Sequence, residues 1–267
     1  MAAERKQDSD DEERVRPSAN DIYESVKRDA ADELSRGSVA LGFSGLFAGA
    51  TLGFSGLAAA AATVALPDHH VGRLIGAIFY PIGFIAAIVG RAQLFTENTL
   101  YPVTLVLDQR RHLAGLLRLW LVVFVTNVAG AFLFTLLVVD SGAVAHGVLR
   151  ELQRTGLELS RHNWISSLWS GVIAGWLLAL VAWLVEASPA AVAQIALIWA
   201  PTFIIGLAGF AHCVSSTAEV LAAVINSKVS VGHFFGWLSA VTLGNVIGGV
   251  LIVAVLNYGQ VRADEGD

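Results

Sequence analysis

The feature that most constrains this chain is a set of apolar stretches too long for a soluble core. Residues 37–67, 115–139, 164–185 and 234–257 are almost free of charge. Each is long enough to cross a hydrocarbon layer roughly 30 Å thick at about 1.5 Å per residue. Of 267 residues, 55% are hydrophobic and only 15% charged, and the mean hydropathy is +0.64. The chain therefore reads as an all-α polytopic membrane protein. Six membrane segments are expected, at 38–65, 74–108, 115–138, 164–186, 189–225 and 231–257.

Segments two and five are too long and too polar in the middle to be plain helices. The second contains "GRAQLFTENTLYP" (90–102), where Arg91, Gln93, Thr96, Glu97 and Asn98 crowd together. Inside a bilayer, irregular backbone survives only where protein covers it or a cavity hydrates it. Two broken helices are the expectation, rather than two exposed loops.

The flanks are different in kind. Residues 1–20 are polar, mixed in charge and without the apolar core of a signal peptide, as expected of a disordered cytoplasmic tail. Over residues 21–36, Ile22, Val26, Ala30 and Leu34 share one face at helical spacing, predicting an amphipathic helix on the membrane surface. Residues 37–258 then form the six-span transmembrane domain, and 259–267 a cytoplasmic C-terminal tail. Lys and Arg cluster on the N-terminal side of the spans, most tellingly in the short loop "DQRRH", which places both termini inside. The net charge of −5 comes with no basic stripe, so nucleic acid is not an expected partner. With Cys213 alone, no intrachain disulfide can form.

The two halves, about 37–139 and 164–258, resemble each other. "SGLFAG" (44–49) returns as "SGVIAG" (170–175), and "TNVAGAFL" (126–133) as "GNVIGGVL" (244–251). Between them "GRAQLFT" (90–96) can be laid on "GLAGFAH" (206–212), setting Thr96 opposite His212. Three spans per unit force the second copy to insert upside down, the inverted-repeat plan of many channels and transporters. The restarting half-helices near Thr96 and His212 would offer free N–H donors and partial positive charge to an anion.

His212 is the one histidine central to a span, and an ionisable group there is a functional candidate. It could donate a hydrogen bond or a proton to a passing anion, or be a core histidine bonded to a carbonyl. Thr96 could offer its hydroxyl to the same pore, or cap the restarting helix. Glu97 and Asn98 suit the first turn of that helix, and Asn127 and Asn245 are placed to tie down loop carbonyls. Arg91 reads either as a charge at the pore mouth or as an interfacial snorkel. Gly42, Gly45, Gly49, Gly53 and Gly56 make a smooth face for close helix approach. The G-x-S-G strings at Ser44 and Ser55 keep an intramembrane serine protease as a third reading. A non-transporting scaffold or sensor, recruiting a partner through its tail, is the second. No H-E-x-x-H, P-loop or C-x-x-C pattern is present, so no metal or cofactor is expected.

"LFTEN" (94–98), "FAHCVSS" (210–216), "TNVAGA" and "GNVIGG", in this order over residues 36–258, resemble the formate/nitrite transporter family, in particular a bacterial branch with a long acidic N-terminal tail. The resemblance implies an aquaporin-like protomer in the bacterial inner membrane, assembled as a homopentamer with one pore per subunit. That pore would pass small monovalent anions or their weak acids, and the protein would not be an enzyme. By position, Leu94, Phe95 and Thr96 would form the pore loop and His212 the central pore histidine. Tyr80, Phe84, Leu178 and Ile205 would fall at apolar constrictions. Gln93, Gly175, Ala211 and Ser216 depart from the family's polar pattern, and no lysine opens segment four, where Leu159 and Arg161 stand nearest.

Overall fold

The structure is a computed structural model that describes residues 17–109 and 112–264. Most of the expected tail (1–16), Arg110 and Arg111 of the short basic loop, and residues 265–267 lie outside the described residues.

The first helix, α1 (Ala19–Ser35), starts two residues before its expected position. Ser18 sets that start: its Oγ accepts from the Asp21 N–H at 3.1 Å, and the Asp21 carboxylate accepts from the Ser18 N–H at 2.9 Å, a reciprocal capping box. The first span is α2 (Ser38–Val64). The second is built from α3 (His69–Phe79), α4 (Ile82–Val89), an irregular stretch, a 3-10 turn at Glu97–Thr99, and α5 (Tyr101–Gln109). The third span is α6 (Leu113–Asp140), followed by α7 (His146–Ser160) and the fourth span α8 (Trp164–Glu186). Next come α9 (Ala191–Ala208), a second irregular stretch and α10 (Ser215–Ile225). The last span is α11 (Val231–Ile247), a π-helical run Gly248–Ala254 and α12 (Val255–Asp264). Six helical spans among the described residues are long and apolar enough to cross a membrane, and both predicted breaks are present.

The halves pack by the same device. α2 and α6 approach so closely that a Cβ on Gly49 would strike the Asn127 carbonyl, and one on Gly130 the Leu46 carbonyl. In the second half a Cβ on Gly175 would strike the Asn245 carbonyl, and one on Gly248 the Val172 carbonyl. Small residues let apolar helices approach where the bilayer supplies no hydrophobic drive between them. Further along the glycine face of α2, Gly53 receives Phe134, and Gly56 lies against Glu219 of α10. Phe43, Phe47, Leu121, Leu137, Trp169, Leu251 and Leu256 stay exposed on the outside, as lipid-facing side chains do.

Three elements differ from the sequence reading. The apolar face of α1 (Ile22, Tyr23, Val26) packs on protein, against Leu100, Val103, Leu116, Ala179 and Ala182, and so is not a face laid on lipid. Residues 146–160, expected as part of a loop, form α7, which lies along α10 with Gly156 against the Glu219 backbone. α12 carries helix through the expected C-terminal tail to Asp264. Counting spans from the N-terminus puts α1 and α12 on one face of the bundle and α7 on the other.

Candidate functional site

The first break starts where α4 ends at Gly90. Arg91 takes a left-handed conformation (φ 56°), and the Ala92 N–H reaches back to the Ala87 carbonyl at 2.9 Å, closing a Schellman-type end. The exposed backbone then finds side chains. The Gln93 N–H donates to Ser44 Oγ at 3.0 Å and the Phe95 N–H to Asn127 Oδ1 at 2.9 Å. Asn127 Nδ2 donates back to the Gln93 and Gly45 carbonyls at 2.9 and 2.8 Å. One buried amide thus holds two sides of the break.

The second break repeats this bond for bond. Gly209 is left-handed (φ 68°), and the Phe210 N–H donates to the Ile205 carbonyl at 3.0 Å. The Ala211 N–H donates to Ser170 Oγ at 2.8 Å and the Cys213 N–H to Asn245 Oδ1 at 2.9 Å. Asn245 Nδ2 donates to the Gly171 and Ala211 carbonyls at 2.7 and 3.4 Å. These bonds pair Arg91 with Gly209, Gln93 with Ala211 and Phe95 with Cys213. The overlay of 90–96 on 206–212 is therefore two residues out of register. It matched glycine to glycine, whereas the partner of left-handed Gly209 is an arginine. The structural mates are Leu94 with His212 and Thr96 with Val214.

Thr96 and His212 nevertheless meet. Thr96 Oγ1 lies 2.9 Å from His212 Nε2, and both residues are fully buried. The other ring nitrogen, Nδ1, faces the Val214 N–H at 3.3 Å, the Ser215 N–H at 3.1 Å and Ser215 Oγ at 3.2 Å. A backbone N–H can only donate, so Nδ1 is the acceptor and the ring proton of the neutral histidine sits on Nε2. His212 then donates to Thr96 Oγ1, leaving the threonine hydroxyl hydrogen available to a solute oxygen. Ser215 Oγ continues the chain to the Tyr80 hydroxyl at 2.8 Å.

This geometry corrects one expectation. The N–H groups of Val214 and Ser215, at the start of α10, face His212 Nδ1, and the His212 N–H is bound by Ser216 Oγ at 3.1 Å. On the His212 side, then, these donors do not stand free for an anion. What the Thr96–His212 pair leaves over is the Thr96 hydroxyl hydrogen, with Nε2–H bound to Thr96 Oγ1.

Tyr80, Phe84, Leu94, Phe95, Leu178 and Ile205 all belong to one buried apolar cluster. The Phe84 ring stands edge-on to His212 with centroids 5.2 Å apart, and Tyr80 follows at 5.8 Å from Phe84. On the α7 face a cavity of about 210 Å³ ends against Tyr80, Ile205 and Ser216. On the α1 face a smaller one of about 50 Å³ ends against Leu94, Glu97 and Asn98. The Thr96–His212 pair lies in the sequence breaks between these walls. Phe84, Leu178 and Phe95 border neither cavity. Phe95 packs edge-on against Trp120 and Phe124 at 5.8 and 5.1 Å, which anchors the break to α6.

The remaining residues also have defined places. Asn98 Nδ2 donates to Gln93 Oε1 and the Leu94 carbonyl at 3.1 and 3.2 Å, and its own carbonyl accepts from Trp120 Nε1 at 2.8 Å. Thr96 sits at the N-cap of the 3-10 turn but its side chain does not cap it. Glu97 faces the α1-side cavity with Asp29, Glu33 and Arg91, and Arg91 pairs with Asp29 at 3.1 Å. Gly175 cannot carry a side chain against the Asn245 backbone, so no polar side chain fits there in this packing. Ser44 is the partner of Gln93, as Ser170 is of Ala211, which gives the G-x-S-G string a structural use.

Sequence reasoning missed Glu219. It is buried, lines the α7-side cavity, and is the one ionisable residue of α10. A charged residue inside "SSTAEVLAAVI" was a readable signal.

Comparison with known proteins agrees with this architecture. The formate/nitrite transporter family profile matches residues 20–259. The chain is 31% identical over 261 residues to the inner membrane protein YfdC of Escherichia coli, covering 95% of this chain and 82% of that protein. It is 30% identical over 209 residues to a probable formate transporter of Methanothermobacter thermautotrophicus, covering 72% and 76%. Among solved structures, an FNT family ion channel superposes with a TM-score of 0.80 at 19% identity, covering 91% of this chain and 99% of that one. A pentameric formate channel with formate bound gives 0.71 at 17% identity, covering 85% and 98%. With both breaks and the flanking repeat pairs inside the matched span, the chain belongs to the formate/nitrite transporter family, whose members are channels and transporters rather than enzymes.

Proposed function

We propose that this protein is a pore for small monovalent anions or their weak acids, formate and nitrite among them. The observation that carries this reading is the 2.9 Å contact between Thr96 and His212, buried between two cavities that open toward opposite faces. Apolar side chains at Tyr80, Phe84, Ile205 and Leu94 separate the pair from both cavities and reject a bare hydrated ion, since a charge at a bilayer centre costs roughly 2.5 to 17 kcal/mol depending on method. A small carboxylate could be met there by the Thr96 hydroxyl, and by Nε2–H on displacing its bond to Thr96 Oγ1, and cross the dry walls as its neutral acid. The names of the relatives, a probable formate transporter and a pentameric formate channel with formate bound, support the same substrate class and a homopentamer with one pore per subunit. The name of YfdC supports the bacterial inner membrane. The excess of Lys and Arg on the α1 side supports both termini in the cytoplasm, and the "SDDEE" run near the N-terminus supports the acidic-tailed branch.

Flux into proteoliposomes tests the reading. Uptake of formate, nitrite or acetate above that of protein-free vesicles is expected, with a large loss in His212→Ala. No uptake of any of these solutes, or no difference in His212→Ala, overturns it. Crosslinking in native membranes should give a ladder ending at five, and a ladder ending at two would contradict the pentamer.

A further inference from the structure

Resting on that reading, we propose that Glu219 is the proton-exchanging group of the pore, loading a proton onto the anion in the α7-side cavity before it passes Tyr80 and Phe84. The argument starts from what His212 is unable to do. Its Nδ1 lone pair is engaged by the N–H groups of Val214 and Ser215, and its Nε2–H is directed at Thr96. Giving up that proton would leave an imidazolate, and taking one on Nδ1 would set an N–H against two N–H groups. His212 is built as a fixed donor, so a proton that travels with the solute needs another carrier.

Glu219 is placed to be one. It is 3% exposed and lines the cavity that ends at Tyr80, Ile205 and Ser216. It stands seven residues, about two helical turns, beyond His212, on the helix that His212 helps to start. The charged and titratable groups around the same cavity are Arg73 and Tyr80 from the second span, Glu151 and Glu158 from α7, and His162 after it. The first span contributes Gly56, Ala59, Ala60 and Thr63, none of which titrates. The other two carboxylates have cations. Glu151 pairs with Arg154 at 2.5 Å and with His69 at 3.5 Å; Glu158 pairs with Arg154 and with Arg73 at 3.8 Å. Glu219 has no Lys, Arg or His within 4.0 Å among the described residues, and a proton is the counter-charge left to it.

The step balances simply. The Glu219 carboxyl gives its proton to the entering anion, which becomes the neutral acid. Glu219, now a carboxylate, is reprotonated from the solution that the cavity opens to. No bond other than the O–H bonds is made or broken. Glu97 lines the opposite cavity beside Arg91, and serves as the comparison group below.

The test is formate uptake into proteoliposomes under an inward proton gradient, with a pH dye inside to follow the proton. Glu219→Gln keeps the shape and removes the titration. Parent protein is expected to bring in one proton per formate. Glu219→Gln should lose at least tenfold in gradient-driven uptake together with the proton signal, and Glu219→Asp should keep much of both. Equal uptake and equal proton entry in Glu219→Gln overturn the role of Glu219 and leave the pore reading standing. No uptake by the parent protein removes the pore reading, and the role of Glu219 with it. Should Glu219→Gln fail to fold, infrared spectra of the parent, Glu97→Gln and Glu219→Asp decide. A titrating protonated-carboxyl band that persists in Glu97→Gln and shifts in Glu219→Asp supports Glu219, and a band that is lost in Glu97→Gln or unmoved in Glu219→Asp refutes it.

Discussion

Thr96 Oγ1 and His212 Nε2 are 2.9 Å apart, yet the two residues are not mates in the repeat that builds the site. The backbone bonds pair Phe95 with Cys213 through Asn127 and Asn245, which leaves Thr96 paired with Val214 and His212 with Leu94. A nearly symmetric scaffold therefore carries an asymmetric centre. One half supplies a hydroxyl and an apolar wall, and the other supplies an imidazole whose tautomer its own backbone fixes. In the structure Nε2–H is held by Thr96 Oγ1, and the threonine hydroxyl hydrogen is the donor left over.

Replacing His212 should separate scaffold from chemistry. His212→Asn retains an acceptor near the Val214 and Ser215 N–H groups but falls short of Thr96. It should fold with an almost unchanged Tm while formate flux drops at least tenfold. His212→Ala leaves those buried N–H groups without their acceptor, at about 1–3 kcal/mol each, and should lower Tm as well. Thermal unfolding in detergent, read beside flux, distinguishes the two.

At Thr96, shape and hydroxyl can be tested apart. Thr96→Val keeps the volume but leaves His212 Nε2–H unmet in a dry site, a destabilisation of about 1–3 kcal/mol. Thr96→Ser should be near the parent in both stability and flux. If Thr96→Val transports as well as Thr96→Ser, the hydroxyl has no part in passage.

Much of this was legible in the sequence because the bilayer leaves few solutions. Long apolar runs had to be spanning helices, and "GRAQLFTENTLYP" had to be covered irregular backbone. The repeat set Asn127 opposite Asn245 because each sits in a run of matching small residues, and each amide bonds its own break. The register at the breaks was not legible. It depends on a left-handed residue, and Arg91 occupies that position in one half while Gly209 does in the other. The direction of Phe95 was hidden too, since alternation along an irregular stretch has no fixed period. α7 was missed because its polar sequence resembles a loop until Gly156 is seen against α10.

The paired asparagines should differ in cost. Asn127 makes three bonds of 2.8 to 2.9 Å, whereas the third bond of Asn245, to the Ala211 carbonyl, stretches to 3.4 Å. Asn127→Leu and Asn245→Leu each strand a backbone N–H and carbonyls in the core, so both should be severely destabilised. Asn127→Leu should be the worse by about 1 kcal/mol, the size of one ordinary hydrogen bond. Relative yields of folded protein and Tm values check the order.

Arg91 offers a stabilising change. A left-handed conformation costs a non-glycine residue roughly 1–2 kcal/mol, and its ion pair with Asp29 involves an arginine side chain that is 73% exposed, so that pair returns at most about 1 kcal/mol. Arg91→Gly, copying Gly209, should leave Tm unchanged or raise it. Asp29→Asn, which removes the pair and keeps the strain, should lower it slightly. A clear loss of Tm in Arg91→Gly would mean that the contact with α1 outweighs the backbone.

The α7 face should respond to acid. Burial pushes the Glu151 carboxyl up, but the Arg154 guanidinium and His69 outweigh it and hold Glu151 below the ordinary carboxylate value. A group depressed in the folded state stabilises the protein above its unfolded pKa, about 4.3 for glutamate. That contribution is lost as pH falls through the lower, folded value. The packing of α7 along α10 should therefore hold from neutral pH down to about 4.3 and weaken below it. Glu151→Gln should be less stable than the parent at pH 7 by about 1 kcal/mol, and should lose less further stability than the parent on acidification. Tm measured as a function of pH for both proteins, with Glu158→Gln as a comparison at the more exposed neighbour, gives the answer. Parallel curves for parent and Glu151→Gln would show that the acid response of this face comes from some other group.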